Sequence, residues 1–292
     1  MWGSIYQALY RKYRSRTFDE VCGQEQVTET LKAQVASGRL SHAYLFIGTR
    51  GTGKTSCAKI LAKAVNCEHP VNGNPCCQCA ACRGIDDGSL LDVTELDAAS
   101  NGSVNDARSL REEAVYPPAV LQKRVYIIDE VHMLSRDAFN ALLKIMEEPP
   151  AHLLFILATT EIQKVPATIL SRCQRFNFKR ILPHDMEQQL LKVAKAEAID
   201  LTPDGADLLA RMANGALRDA LSLLDQCRAA GAVVAGACWT RWDWPAVPRR
   251  CSSCACSWRV RGATLWRCWT SCTGAARMWV RCWASSATCA GI

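Results

Sequence analysis

Gly48-Thr49-Arg50-Gly51-Thr52-Gly53-Lys54-Thr55 follows an apolar run, Ala43-Tyr44-Leu45-Phe46-Ile47, and precedes Ala58, Ile60, Leu61 and Val65 at helical spacing. The stretch meets G-x-x-x-x-G-K-[ST] at every fixed position, in the strand–turn–helix setting that the pattern requires. Glycines let the backbone curl until successive N–H groups converge on phosphate oxygens, and the next helix adds its positive end. The phosphate-binding set is therefore Gly48, Thr49, Arg50, Gly51, Thr52, Gly53, Lys54, Thr55 and Ser56. Lys54 is expected to reach the outer phosphates, and the Thr55 hydroxyl to ligate Mg²⁺. A Gly-rich turn alone explains less, because it requires neither the lysine nor the hydroxyl. A nucleoside triphosphate is the expected ligand.

Such a cradle needs an acid on a neighbouring strand, and Val125-Tyr126-Ile127-Ile128-Asp129-Glu130 supplies two. Asp129 is expected in the Mg²⁺ shell, with Glu130 orienting or deprotonating the attacking water. A third apolar strand, Leu153–Ala158, ends at Thr159-Thr160, where a hydroxyl reaches the ligand crevice of an open α/β sheet. Between these strands, Ser135 reads as the N-cap of a helix over 135–147 carrying Ala138, Leu142, Ile145 and Met146, and Pro149-Pro150 stops it. Strands alternating with helices predict an α/β fold, a parallel sheet covered on both faces.

Cys67, Cys76, Cys79 and Cys82 have the spacing of a tetrahedral zinc site, in a segment too rich in Pro, Gly and Asn to build its own core. Four thiolates leave Zn²⁺ no open position, so the site is expected to be structural. Cys77 and His69 lie close enough in sequence to compete. Disulfides are disfavoured in the cytoplasmic setting expected for the chain.

Taken with Tyr6-Gln7-Ala8-Leu9-Tyr10-Arg11-Lys12-Tyr13-Arg14, Gly23-Gln24, Asp129-Glu130-Val131-His132-Met133-Leu134, Glu147-Glu148-Pro149-Pro150 and Ser171-Arg172-Cys173, these motifs resemble the bacterial DNA polymerase III gamma/tau family. The resemblance runs from about residue 5 to about residue 230. It implies an AAA+ P-loop ATPase domain over 1–180 with the zinc module at 67–82, and a three-helix lid over 181–230. The implied function is the ATP-hydrolysing motor of a clamp loader. The implied partners are the other loader subunits, the sliding clamp and primer–template DNA, gripped without sequence preference. It gives Thr159 the sensor 1 position, Arg218 the sensor 2 position on the γ-phosphate, and Arg172 the role of an arginine finger reaching a neighbour's ATP. The N-terminal Tyr/Arg segment is expected to wrap the adenine. Ser15 stands where the family usually has proline, which loosens one turn.

Residues 231–292 have a different character, with 8 of the 17 Cys and 8 of the 9 Trp but one Leu and no Lys, Phe or Tyr. Their 8 Arg and single acid account for the whole +7, so residues 1–230 balance at 27 basic and 27 acidic. The basic total therefore says nothing about nucleic-acid binding by the ATPase part. The expectation is an out-of-frame, disordered tail in place of the family's helical collar, which puts ring assembly in doubt. The alternative function is then an ATP-binding interaction module that cannot assemble. No tail segment is a membrane span. An AAA+ helicase motor is a third reading, disfavoured by the cysteines and by Glu147-Glu148-Pro149-Pro150.

Overall fold

The computed structural model describes residues 7–100 and 104–228; the tail over 231–292 lies outside the described residues, as do 229–230 at the end of the expected lid. Strands β1 (Ala43–Gly48), β2 (Val93–Asp97), β3 (Arg124–Asp129), β4 (Leu153–Thr159) and β5 (Gln174–Phe178) form one parallel sheet. Their spatial order is β2-β3-β4-β1-β5. Before and between them run α1 (Leu9–Lys12), α2 (Glu25–Ser37), α3 (Lys54–Asn66), α4 (Ala80–Asp87), α5 (Val104–Ala114), α6 (Arg136–Glu147) and α7 (Ala167–Leu170). The helices α8 (Pro183–Ala196), α9 (Pro203–Met212) and α10 (Leu217–Arg228) follow β5.

The apolar strands carry no polar alternation because both faces are covered. Leu45, Tyr126, Ile128, Phe155 and Leu157 pack with α5 and α6 on one face. Tyr44, Phe46, Val125, Ile127, Leu154 and Ile156 pack with α2 and α3 on the other. Strand β2 escaped the sequence reading: Val93-Thr94-Glu95-Leu96-Asp97 is a half-exposed edge and has the polar composition of one. Register brings the carboxyl ends level, with Ile47 opposite Thr159 and Asp97 opposite Asp129. That edge is where a sheet of this kind holds ligands.

The expected Ser135 cap forms, and Thr202 caps α9 in the same way. Ser135 Oγ accepts from the Ala138 N–H at 3.2 Å, and Thr202 Oγ1 from the Gly205 N–H at 3.2 Å, with Pro203 at the first helical position. The core of the helical trio, Met186, Leu190, Val193, Leu209, Leu221 and Leu224, also takes in Leu9 of α1. The N-terminal segment is thereby fastened to the trio. Glu197 ties it down, contacting Lys12 Nζ at 2.5 Å, Tyr13 Oη at 2.6 Å and Arg228 at 3.5 Å. The Lys12 and Tyr13 hydrogen bonds hold the Glu197 carboxyl below its usual range; in return Glu197, together with burial, pushes the Tyr13 phenol up to about 12.

Candidate nucleotide and metal sites

The turn between β1 and α3 has the backbone that its glycines allow, with φ of 78° at Gly51 and 98° at Gly53, a region that costs glycine little. A Cβ on Gly51 would also stand 2.8 Å from Ala216 Cβ, and the Gly51 carbonyl accepts from the Leu217 N–H at 3.0 Å. The start of α10 thus rests directly on the loop. Lys54 is 5% exposed, and its Nζ donates to the Gly48 and Thr49 carbonyls, each at 2.9 Å. Burial lowers the Lys54 pKa, and the Glu130 and Asp129 carboxylates offset part of that.

Thr55 Oγ1 donates to Asp129 Oδ2 at 2.6 Å, so the hydroxyl and the carboxylate expected around Mg²⁺ are already adjacent. This donor set, hard oxygens facing a cavity, suits Mg²⁺. Glu130 follows in the left-handed region at φ 48°, a strained position for a residue with a side chain. Its Oε2 accepts from Thr160 Oγ1 at 3.0 Å.

The two threonines at the end of β4 have different partners. Thr159 is fully buried, its hydroxyl 3.1 Å from His132 Nδ1 and accepting from the Glu161 N–H at 3.1 Å. Thr160, one residue past the strand, is the threonine that touches Glu130.

A cavity of about 980 Å³ is lined by Arg50 through Ser56, Asp129 and Glu130, by Tyr10, Tyr13 and Arg14 from the N-terminal segment, and by Leu217, Arg218 and Leu221 from α10. The Arg218 guanidinium lies over the Tyr10 ring, 4.9 Å from its centroid. Arg14 Nε donates to Ser56 Oγ at 3.1 Å. Ser15, in place of the expected proline, donates its hydroxyl to the Glu20 carbonyl at 3.1 Å, which holds the turn in another way. Arg172 does not line this cavity. Its guanidinium donates to Glu147 Oε1 and to the Thr168 carbonyl, each at 2.6 Å, and stays partly exposed.

The four predicted cysteines come together, their Sγ atoms within 4.8 Å of one another. Cys67 closes α3 and Cys79 caps α4, its sulfur accepting from the Cys82 N–H at 3.4 Å. The Cys67 sulfur accepts from the Cys76 N–H at 3.2 Å, and the Cys76 sulfur from Cys79 N–H at 3.3 Å. Backbone donors aimed at sulfur are what ligating thiolates use as outer support. The Gln78 and Cys79 N–H groups pull the Cys76 thiol down to about 6, whereas burial pushes Cys67 and Cys82 up. The donor set fits Zn²⁺. Cys77, at φ 58°, turns its sulfur to the Arg16 carbonyl, and His69 is not part of the cluster.

The sheet order, P-loop and following helical trio define the AAA+ fold. Thermotoga maritima RuvB, a Holliday junction branch migration motor, superimposes with a TM-score of 0.59 over 79% of this chain and 72% of that one. At 18% identity that likeness shows the fold alone. A family model described as DNA polymerase III, delta subunit, matches residues 23–182, and one described as DNA polymerase III clamp loader subunit, ATPase lid domain, matches residues 185–233. The tau subunit of Bacillus subtilis DNA polymerase III is 55% identical over 221 residues, which are 76% of this chain and 39% of that protein. Its Escherichia coli counterpart is 51% identical over 226 residues, 77% of this chain and 35% of that protein. The chain belongs to the gamma/tau family of DNA polymerase III clamp-loader subunits. It spans well under half the length of these curated relatives. Among the described residues, no helix is long and apolar enough to cross a membrane.

Proposed function

We propose that the chain binds ATP with Mg²⁺ in this cavity and hydrolyses it as a motor subunit of a cytoplasmic clamp loader, placing a sliding clamp on primed DNA. The observation that carries this is the convergence of Lys54, Thr55, Asp129 and Glu130 at the carboxyl edge of one sheet, under a lid arginine. The P-loop amides and Lys54 hold the phosphates. Thr55 and Asp129 hold Mg²⁺, which when bound neutralises charge on the transferred phosphoryl group. Glu130 accepts the proton of the attacking water. Arg218 leaves Tyr10 for the γ-phosphate, making closure of residues 181–230 over 1–180 sensitive to which nucleotide is present. Thr160 takes the sensor role in place of Thr159, since its hydroxyl meets Glu130.

Arg172 acts on a neighbour's ATP rather than its own, a reading supported by its position away from the cavity lining. Arginine fingers supplied in trans are worth on the order of 10³ or more in rate. The zinc module is structural: Asn74 accepts from the Phe18 N–H at 3.0 Å and donates to Asp19 at 2.8 Å, tying the cysteine loop to the segment that reaches the cavity.

Steady ATP turnover by the chain with the other loader subunits, stimulated by primed DNA and lost in Lys54→Ala, is the expected result. ATP binding without turnover would instead favour a non-assembling interaction module.

A further inference from the structure

The polar surroundings of Glu130 extend past Thr160 to a side chain that the hydrolysis chemistry above does not use. His132 sits in a tight helical turn, Val131–Met133, with its side chain 7% exposed. One ring nitrogen, Nδ1, lies 3.1 Å from Thr159 Oγ1 and 3.4 Å from Glu130 Oε2. The other, Nε2, lies 3.5 Å from Glu161 Oε1, and Glu161 is itself paired with Lys164 at 3.0 Å. Thr159 is fixed in turn by the Glu161 N–H. The ring is therefore braced from both sides.

Glu130 needs such support. Its backbone is in a strained region, and about a third of its side chain meets solvent (31%). Both protein contacts of its carboxylate fall on Oε2: a hydrogen bond from Thr160, and the 3.4 Å approach of His132 Nδ1, whose hydrogen-bond partner is Thr159. Among the described residues Oε1 has no hydrogen-bond partner. A carboxylate pinned by one oxygen presents the other in a single orientation, which is what a general base must do for its water.

We propose that His132 is a positioning residue for Glu130: braced by Thr159 and Glu161, its ring holds one carboxylate oxygen so that the other is kept for the substrate water. This rests on the proposed ATP hydrolysis. It assigns Thr159 a part as well, as a brace for the ring rather than a contact to nucleotide.

The experiment has a kinetic arm and a spectroscopic one, both on the full chain. Single-turnover hydrolysis and nucleotide affinity are measured for wild type, His132→Ala and His132→Asn, with Lys54→Ala as the blank. His132→Ala is expected to slow hydrolysis on the order of tenfold while ATP–Mg²⁺ affinity stays within about twofold. His132→Asn, which keeps a donor near the Nδ1 position, recovers most of the rate. Wild-type rate in His132→Ala, parallel loss of rate and affinity, or an Asn variant as slow as the Ala variant would overturn the proposal.

The imidazole ¹⁵N resonances of His132, picked out from the five histidines by the His132→Asn spectrum, supply a reading that needs no turnover. They are expected to shift in Glu130→Gln; unchanged resonances mean that the ring does not sense that carboxylate and defeat the proposal. A wild-type chain no faster than the blank would remove ATP hydrolysis from the account, and the resonance shift would then decide the His132–Glu130 contact by itself.

Discussion

The cavity at the sheet edge and the cysteine loop both gather charged groups, and they do so in opposite ways. Around the cavity, Asp129, Glu130 and Arg218 remain partly open to solvent, and the polar atoms that would meet a nucleotide are held by only one or two protein contacts. In the loop, four sulfurs face one another and backbone N–H groups fill their outer side, leaving nothing for a substrate. An open set of groups can exchange ligands; a closed one can only hold. Asp92 shows the closed arrangement without any metal. Its 2%-exposed carboxylate accepts from the Ala119, Val120 and Leu121 N–H groups at 2.7–3.0 Å and lies 3.6 Å from Arg124.

The sharpest way to break this contrast is to damage each site and ask whether function or fold suffers. Removing zinc with a chelator, or making Cys82→Ala, should unfold the loop, since such sites contribute on the order of 10 kcal/mol in small modules. The check is one zinc per chain by elemental analysis and a large fall in melting temperature. Acid should release the metal, because the thiols must lose protons to bind it. Lys54→Ala should do the reverse, lowering ATP turnover by at least about 10²-fold, the scale of losing one transition-state donor, with little change in melting. A retained turnover would mean that the phosphate cradle lies elsewhere.

Asp92→Asn tests the metal-free closed site and is expected to cost about 3 kcal/mol in urea unfolding at pH 7, the scale of breaking a buried ion pair. Burial alone would raise the Asp92 pKa, but the three N–H groups and Arg124 more than offset it, and the carboxyl ends below its usual value. A lowered folded-state value makes its contribution full above the ordinary carboxylate range and lost as pH falls through the folded value. The gap between wild type and variant should therefore close on acidification; a gap independent of pH would contradict the assignment. The smallest effect is Ser135→Ala, about 1 kcal/mol, from loss of the α6 cap.

How much of this was legible in the sequence follows the same division. The closed features were: four cysteines at fixed spacing, continuous apolar strands and a Ser135 cap are local patterns, and each formed as read. Edge strand β2 was not, because a half-exposed strand needs no apolar run. At the open site, residue types were legible but aim was not. Whether Thr159 or Thr160 meets Glu130 depends on where β4 ends, which no local pattern fixes. His132 was legible only as a member of the Asp129–Leu134 motif, and nothing local gives its contacts to Thr159 and Glu161, which come from a different strand end. Arg218 could have paired with Asp219, its neighbour in sequence; its guanidinium instead lies over Tyr10, more than two hundred residues away in the chain.

The most direct test of the account is ATP–Mg²⁺ binding and turnover measured side by side in wild type and Glu130→Gln. The account predicts that the variant binds ATP–Mg²⁺ as tightly as wild type and fails to hydrolyse it. A variant that still turns over ATP at the wild-type rate would contradict the assignment of Glu130 as the base, and with it the reading of the open site.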